Sequence, residues 1–204
     1  MGRVAAPFAT FDCYGTLIDW NSGLRAALGS GELLERYHEV EPEVEAETPG
    51  MPYREVLAEV SRRIGAPDPD GVAESLPSWD PFPEVRPALE RVRRDGWRLV
   101  ILSNTDRDYI DVSMATIGVP FEFAIVASEI GSYKPALEHW RAFERETGRL
   151  PDVHVAASLF HDIGPASELG LKSIWVNRLG ELPGPEPTRE IPDLSALPEV
   201  LAEL

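Results

Sequence analysis

Five short, continuous runs of apolar residues, rich in Val, Ile and Phe, stand out along the chain. A run without polar alternation is typical of a strand that is covered on both faces, as in a parallel sheet between helices. We therefore predict five buried parallel strands. They lie at residues 7–11, 99–102, 122–127, 154–158 and 173–176.

Helical patterns separate four of these strands. Each of the four has apolar residues at helical spacing and is followed by a glycine, which readily takes the left-handed conformation that ends a helix. They lie at residues 84–95, 106–117, 135–147 and 165–169, with a closing helix at residues 194–204 after a loop at residues 180–187. This alternation predicts an α/β fold with a Rossmann-like, doubly wound parallel sheet.

The segment from Asp19 to Trp79 contains no strand signal and interrupts this alternation. Helical patterns occur there near residues 23–28, 32–41, 53–64 and 71–76, and Pro42 is expected to end or kink the second helix. An insert directly after the first strand lies over the carboxyl edge of the sheet, where open α/β sheets bind ligands. We therefore expect a catalytic core of residues 1–18 and 80–204 and an inserted helical cap, or lid, of residues 19–79. Residues 32–47 contain seven Glu, which we interpret as a solvated helix face.

The composition is that of an acidic folded protein. The 204 residues carry 19 Lys and Arg against 35 Asp and Glu, a formal net charge of −16. This charge repels phosphate backbones and anionic lipid, so we expect neither a nucleic-acid nor a membrane partner. Cys13 is the single cysteine, which excludes an internal disulfide, and residues 1–12 lack the pattern of a signal peptide. We predict a cytoplasmic protein.

Polar and charged residues follow four of the predicted strands. They are Asp12 after the first, Ser103 and Asn104 after the second, Lys134 after the third and Asp162 after the fourth. A charged side chain at the end of a buried strand is costly unless it is paired or used. Because the carboxyl ends of parallel strands meet at one edge, these residues are predicted to converge on one site.

The turn after Asp12 adds a second kind of group to this predicted site. A tight turn containing Gly15 presents the backbone amides of Cys13 and Tyr14 beside the carboxylate. Backbone amides that point in one direction hold anions. The turn could therefore hold an anionic part of a substrate.

The motifs FDCYGTL, ILSN, SYKP and HDIGPA, followed by GLKSIWVNR, resemble those of the haloacid dehalogenase superfamily and, within it, the hydrolytic L-2-haloacid dehalogenases. The resemblance covers nearly the whole chain and is weakest in the insert. It implies a hydrolase for a small 2-haloalkanoic acid, in which Asp12 attacks C2 and displaces halide. Water then hydrolyses the aspartyl ester to a 2-hydroxy acid. The resemblance also implies a homodimer and no cofactor.

The resemblance further implies a role for each residue of the predicted edge. Thr16 would orient Asp12, Lys134 would keep Asp12 ionised, and Asp162 would orient or deprotonate the hydrolytic water. Ser103, with the amides of Cys13 and Tyr14, would hold the substrate carboxylate.

The same resemblance implies a halide cradle. Asn104 belongs to the cradle, together with an arginine from the first long helix of the lid. Alignment of that helix indicates Arg36, and Arg54 on the next helix is the alternative.

Tyr14 argues against a metal-dependent reaction. Phosphatases of this superfamily have a second Asp at this position, which protonates the leaving alcohol and helps to bind magnesium, and Tyr does neither at neutral pH. They also carry another acid downstream of Asp162, and residues 163–166 supply none. We therefore expect no metal, with a magnesium-dependent phosphatase as an alternative.

Two departures from the resembling family affect the expected chemistry. Relatives have an Asn-x-aromatic-Asp run, whereas this chain has Leu159 and His161 before Asp162. Trp140, a predicted substrate-binding residue, stands where relatives have Tyr. His161 is either a packing residue or a group that serves a leaving group in need of a proton, and His38 is a weaker candidate of the same kind. One alternative is therefore the ring opening of azetidine-2-carboxylate by the same mechanism. Another is a non-catalytic binding protein.

Overall fold

A six-stranded parallel sheet forms the centre of the molecule, in the order β3-β2-β1-β4-β5-β6. The computed structural model describes residues 6–204, so the predicted absence of a signal peptide in residues 1–12 lies partly outside the described residues. The strands are β1 (Phe8–Phe11), β2 (Arg98–Ser103), β3 (Phe123–Val126), β4 (Val153–Ala156), β5 (Ser173–Val176) and β6 (Arg189–Ile191).

The five predicted strands are confirmed, with ends that differ by one or two residues. The prediction missed β6, because two of its three residues are charged and exposed at the edge of the sheet. The third and fourth strands end earlier than predicted, at Val126 and Ala156. A helical turn follows the third strand directly, and a π-helical turn at Leu159–Ile163 carries Asp162.

Ten helices surround the sheet in the described residues. They are α1 (Trp20–Leu28), α2 (Gly31–Glu47), α3 (Tyr53–Ile64), α4 (Gly71–Ser75), α5 (Val85–Arg94), α6 (Arg107–Ile117), α7 (Ala127–Ile130), α8 (Glu138–Thr147), α9 (Gly164–Glu168) and α10 (Leu197–Ala202). Helices α1–α4 lie between β1 and β2 in the chain, as predicted for the insert. None of the described helices is long and apolar enough to cross a bilayer.

Helix α2 does not end at Pro42, contrary to the prediction. Pro42 has no N–H to donate to the carbonyl of His38, yet the helix continues to Glu47. Tyr37 and Val44, on the two sides of the proline, are both fully buried, and the helix packs along α3. Burial of an apolar side chain contributes roughly 1.5–3 kcal/mol, so two such residues offset the loss of one hydrogen bond.

The glutamates of α2 do not all form a solvated face, which corrects a second prediction. Five of the seven are exposed, but Glu41 and Glu45 are buried, at 9% and 5% exposure. Tyr37, Glu41 and Glu45 follow one another at intervals of four residues, so all three lie on one face of the helix. That face is turned toward the sheet edge.

Apolar side chains cover the sheet on both faces. One cluster joins β1 and β2 to the insert, through residues such as Phe11, Leu99, Leu24 and Val56. A second cluster, around Val100, fills the opposite face beneath α8. This two-sided cover explains the continuous apolar runs of the strands.

Candidate active site

Asp12 follows β1 and faces a cavity of about 930 Å³ between the carboxyl edge of the sheet and helices of the insert. Its Oδ1 accepts a hydrogen bond from Lys134 Nζ at 2.9 Å, and its Oδ2 accepts one from Thr16 Oγ1 at 2.8 Å. The amide of Ala157 donates to Thr16 Oγ1 at 2.9 Å, so the hydroxyl proton of Thr16 is directed to Asp12. The Asp12 carboxylate is therefore held at both oxygens while its residue stays 8% exposed.

The turn after Asp12 is built around the carbonyl of Cys13. This carbonyl accepts from the amides of Leu17 and Ile18 at 2.7 and 3.0 Å. Gly15 has a φ of +85°, a left-handed conformation that favours glycine. In the described part of the chain, no hydrogen bond of this turn uses the amides of Cys13 and Tyr14. Tyr14 lines the cavity, whereas Cys13 is fully buried and is not among the lining residues.

Lys134 joins the two carboxylates of the site. Its buried Nζ donates to Asp12, to the carbonyl of Leu102 at 2.9 Å and to Asp162 Oδ1 at 2.6 Å. Burial disfavours the charged amine, but the two carboxylates outweigh this effect and raise the pKa of Lys134 above its usual range. The ammonium therefore neutralises part of the charge of the carboxylate pair.

Asp162 is 1% exposed and has one engaged and one free oxygen. Oδ1 accepts from Lys134 and lies 2.9 Å from His154 Nε2, whereas Oδ2 has no hydrogen-bond partner among residues 6–204. Burial alone would raise the pKa of Asp162, but Lys134 and His154 hold it well below its usual range. Asp162 is thus an ionised carboxylate with an oxygen left to accept a hydrogen bond beside the cavity.

Ser103 and Asn104 come to the same cavity from the end of β2. Asn104 Oδ1 accepts from the backbone amide of Lys134 at 2.7 Å, and its Nδ2 donates to the carbonyl of Lys134 at 3.0 Å. The Nδ2 also lies 3.2 Å from Glu45 Oε1. The amide of Asn104 therefore positions Lys134 and meets a carboxylate of the insert.

The insert presents acidic groups to the cavity. Tyr53 OH donates to Glu41 Oε1 at 2.8 Å, and His161 Nε2 lies 3.3 Å from Glu45 Oε2. Burial, with a smaller contribution from the charge of Glu45, raises the pKa of Glu41 to about 8. Burial disfavours a charged His161, but Glu45 outweighs it and raises the pKa of His161. This part of the cavity therefore favours a proton or a cation.

The structure brings neither candidate arginine of the insert to the cavity. Arg36 is exposed and does not line it, because Tyr37, Glu41 and Glu45 occupy the inward face of α2. Arg54 forms ion pairs with two carboxylates at the start of α6. Neither arginine that was predicted for the halide cradle is thus among the described lining residues. His38, the weaker of the two histidine candidates, does line the cavity and is hydrogen-bonded to an asparagine.

Trp140 also lies away from the cavity, contrary to its prediction as a substrate-binding residue. It is fully buried in the apolar cluster beneath α8. Its ring packs edge-to-face on His154, with ring centroids 5.3 Å apart. Trp140 therefore contacts the site only through His154.

Two residues of the site were missed in the sequence. Arg178, after β5, lines the cavity, donates to the carbonyl of Thr16 at 2.8 Å and pairs with Glu84 at 2.7 Å. Its position after a strand was the available signal. The other residue is His154. The signal in the sequence was a polar residue within an otherwise apolar strand.

The donor set does not fit a divalent metal. Asp12 Oδ1 and Asp162 Oδ1 both accept a hydrogen bond from the ammonium of Lys134, so a cation already contacts both carboxylates. Residues 6–204 contain no group of three or more His, Cys, Asp or Glu placed to hold a metal ion. The groups at this site that can take part in a reaction are therefore the protein's own side chains.

Comparison with known proteins supplies the family. The haloacid dehalogenase-like hydrolase family matches residues 9–158. Haloacetate dehalogenase H-2 from Moraxella sp. (strain B) is 33% identical over 129 residues, which are 60% of this chain and 57% of that protein. The (S)-2-haloacid dehalogenase of Pseudomonas sp. (strain YL) is 31% identical over 127 residues, 59% of this chain and 54% of that protein. The chain thus matches just over half the length of these curated relatives.

Solved structures agree on the fold. The L-2-haloacid dehalogenase from Xanthobacter autotrophicus, with chloropropionic acid covalently bound, superposes with a TM-score of 0.83 at 20% identity, over 98% of this chain and 100% of that one. At this identity the likeness concerns the fold. Because the family match extends over well more than half of the sequence, this chain belongs to the haloacid dehalogenase-like hydrolases.

Proposed function

We propose that the protein hydrolyses a small 2-haloalkanoic acid through an ester on Asp12, with residues 19–79 as the lid of the site. The observation that carries this proposal is the arrangement around Lys134, which donates to both Asp12 and Asp162 beside one cavity. One carboxylate is oriented for attack on carbon, and the other has a free oxygen for water.

In the first step, a carboxylate oxygen of Asp12 attacks C2 in line with the leaving group. The C–X bond breaks, its electron pair leaves with the halide, and Asp12 becomes a neutral ester. A carboxylate in water is a weak nucleophile, so the rate depends on its fixed position between Lys134 and Thr16.

The substrate carboxylate would lie at the turn amides. The free amides of Cys13 and Tyr14 directly follow Asp12, and Ser103 lines the same cavity as Asp12 and Tyr14, so these groups are the proposed donors. Lys134 and Arg178 supply positive charge in a chain whose formal net charge is −16. These two cations offset part of the negative charge of the carboxylates around the cavity.

In the second step, water held at Asp162 Oδ2 attacks the carbonyl carbon of the Asp12 ester. The ester C–O bond breaks, the 2-hydroxy acid leaves, and Asp12 returns to its carboxylate form. Asp162 orients the water, one water proton passes to the departing alkoxide oxygen of the 2-hydroxy acid, and the other is released to solvent. Since C2 is attacked only once, its configuration is inverted.

The comparisons support halide as the leaving group. The curated relatives are named haloacetate dehalogenase and (S)-2-haloacid dehalogenase, and the Xanthobacter enzyme carries chloropropionic acid covalently bound. These properties belong to those proteins. They support the same reaction class for this chain.

The acidic insert supports a second candidate, in which an amine leaves. The pair of buried Glu45 and half-buried His161, together with the exposed Arg36, is unfavourable for a halide anion but suits a nitrogen that accepts a proton. In a strained cyclic amino acid such as azetidine-2-carboxylate, the C–N electron pair would go to nitrogen, and protonated His161 would supply a proton. Asp12 would again form the ester.

A substrate screen tests this proposal. Purified protein, treated exhaustively with a chelator, is incubated with chloroacetate, L-2-chloropropionate, azetidine-2-carboxylate and a phosphate monoester. We expect release of chloride, or ring opening, without added metal, and no turnover in Asp12→Asn. Release of phosphate alone, dependent on magnesium, would contradict substitution at carbon.

A further inference from the structure

His154 lies in β4 between two buried valines and is itself 0% exposed. A buried imidazole is costly unless both of its nitrogens have hydrogen-bond partners. Nδ1 lies 2.9 Å from Thr10 Oγ1, and Nε2 lies 2.9 Å from Asp162 Oδ1. His154 therefore connects the interior of the sheet to a carboxylate of the active site.

The direction of these hydrogen bonds follows from Asp162. An ionised carboxylate only accepts, so Nε2 of His154 carries a hydrogen and donates it to Oδ1. In the neutral imidazole, Nδ1 then accepts from the hydroxyl of Thr10. In the charged imidazolium, Nδ1 donates to Thr10, whose hydroxyl turns to the carbonyl of Val153 at 3.2 Å. Both states of His154 hold Asp162 in the same way.

The consequence is an asymmetric Asp162. Lys134 and His154 both donate to Oδ1, so the carboxylate plane is fixed by two groups and Oδ2 is left without a partner. Once Asp12 is esterified and loses its charge, the ammonium of Lys134 no longer has the same partner on its other side. His154 is then the donor whose contact with Asp162 does not depend on the state of Asp12.

Trp140 fixes the imidazole from the other side. Its ring meets that of His154 edge-to-face at 74°, and both rings are fully buried. This contact restricts rotation of the imidazole about its χ2 bond. Trp140, His154 and Asp162 thus form a continuous path from the apolar core to the cavity.

We propose that His154 is a positioning residue for ester hydrolysis, which holds Asp162 so that Oδ2 faces the attacking water. The inference rests on the proposed function and concerns its second step. It assigns no part to His154 in the attack of Asp12 on C2.

The test separates the two steps in His154→Leu, which removes both hydrogen bonds, and His154→Gln, which can keep an N–H donor. Protein is mixed with L-2-chloropropionate, or with azetidine-2-carboxylate if that is the compound turned over, and the ester on Asp12 is followed by mass spectrometry. In His154→Leu we expect ester hydrolysis to slow by about 10- to 100-fold, the cost of a lost hydrogen bond to a charged group. Ester formation should change little, so the ester accumulates, and His154→Gln should recover part of the rate.

His139→Leu is the matched control for removal of a buried histidine. His139 is also 0% exposed and bonds a backbone carbonyl, but it does not contact Asp162. We expect no accumulation of ester in this variant, and thermal unfolding shows whether each variant is folded. If His154→Leu does not fold, Thr10→Val, which removes only the hydroxyl partner of Nδ1, should show the same accumulation to a smaller degree.

The outcomes separate this inference from the proposed function. An ester that forms in the wild type, and that His154→Leu or Thr10→Val hydrolyses at the wild-type rate, overturns the role of His154 alone. The absence of any ester in the wild type and in all variants, during turnover, overturns the mechanism on which it rests.

Discussion

Glu45 of the insert and Asn104 at the end of β2 meet across the cavity, with Asn104 Nδ2 3.2 Å from Glu45 Oε1. The same amide group also holds the backbone of Lys134 through two hydrogen bonds. One contact therefore joins the insert, the sheet edge and the lysine of the active site. It also places a carboxylate beside Asn104, the residue predicted for the halide cradle.

Glu45→Gln distinguishes the two leaving groups by the sign of its effect. The change removes the charge and keeps the shape. For an amine that takes up a proton we expect the rate to fall on the order of tenfold, the equivalent of about 1.4 kcal/mol, whereas for chloride the rate should stay equal or rise. The measurement is kcat/KM on azetidine-2-carboxylate and on L-2-chloropropionate.

Glu43→Gln provides the matched control for this change, since Glu43 is exposed on the same helix. It should leave both rates within about twofold, as most surface changes do. Equal effects of the two substitutions would remove Glu45 from any role in the choice of leaving group.

His161→Phe and Arg36→Ala test the proton donor and the predicted halide ligand. His161 lies beside Glu45, so its loss should slow ring opening on the order of 100-fold, about 3 kcal/mol, and chloride release much less. Arg36 is exposed, and its replacement should change either rate by about twofold or less. A large loss of chloride release in Arg36→Ala would show that α2 turns this arginine inward during turnover.

The oxygen incorporated in a single turnover identifies the nucleophile. In ¹⁸O-labelled water, with protein in excess over substrate, we expect the label in Asp12 and not in the first product, because water attacks the Asp12 carbonyl. Peptide mass spectrometry locates the label. Labelled product from the first turnover would instead show direct attack of water on C2.

Magnesium should not be required for activity. Lys134 already donates to both carboxylates of the site and offsets part of their charge, so exhaustive chelation and added magnesium should each leave kcat within about twofold. Tyr14→Asp should not create an efficient phosphatase, because no acid follows Asp162 in residues 163–166. A metal requirement in the wild type would contradict this prediction.

Glu41 makes stability depend on pH. Its pKa is raised in the folded protein to about 8 from an ordinary value of 4.5. Its contribution is therefore fully present below about pH 4.5 and is lost as the pH rises toward 8. Glu41→Gln should raise Tm relative to wild type at pH 8.5 more than at pH 5, by several degrees. An equal difference in Tm at the two pH values would contradict a buried, protonated Glu41.

The strands and the convergence of Asp12, Lys134 and Asp162 could be predicted from the sequence. Continuous apolar runs require a sheet covered on both faces, and a parallel sheet brings the carboxyl ends of its strands to one edge. Local patterns were sufficient because Asp12 directly follows β1, and Lys134 and Asp162 each lie within eight residues of the end of the preceding strand. The residues themselves therefore determined the fold and the edge at which these three side chains meet.

The lining of the cavity from the insert depended on tertiary structure. Arg36 and Glu45 both belong to a helix with a proline and seven glutamates, and the apolar positions of that helix do not predict which of its charged residues face the cavity. Inside the protein, Glu41 and Glu45 contact three polar side chains, those of Tyr53, Asn104 and His161. These three residues come from distant parts of the chain.

His154 and Trp140 show the same dependence within the sheet. Alternate residues of a strand point to opposite faces, but a strand covered on both sides gives no polar alternation to tell which face is which. Whether a histidine in such a strand meets a carboxylate, or a tryptophan the substrate, is decided by the elements packed on that face. The side chain of His154 contacts Thr10, Trp140 and Asp162, which only the folded chain brings together.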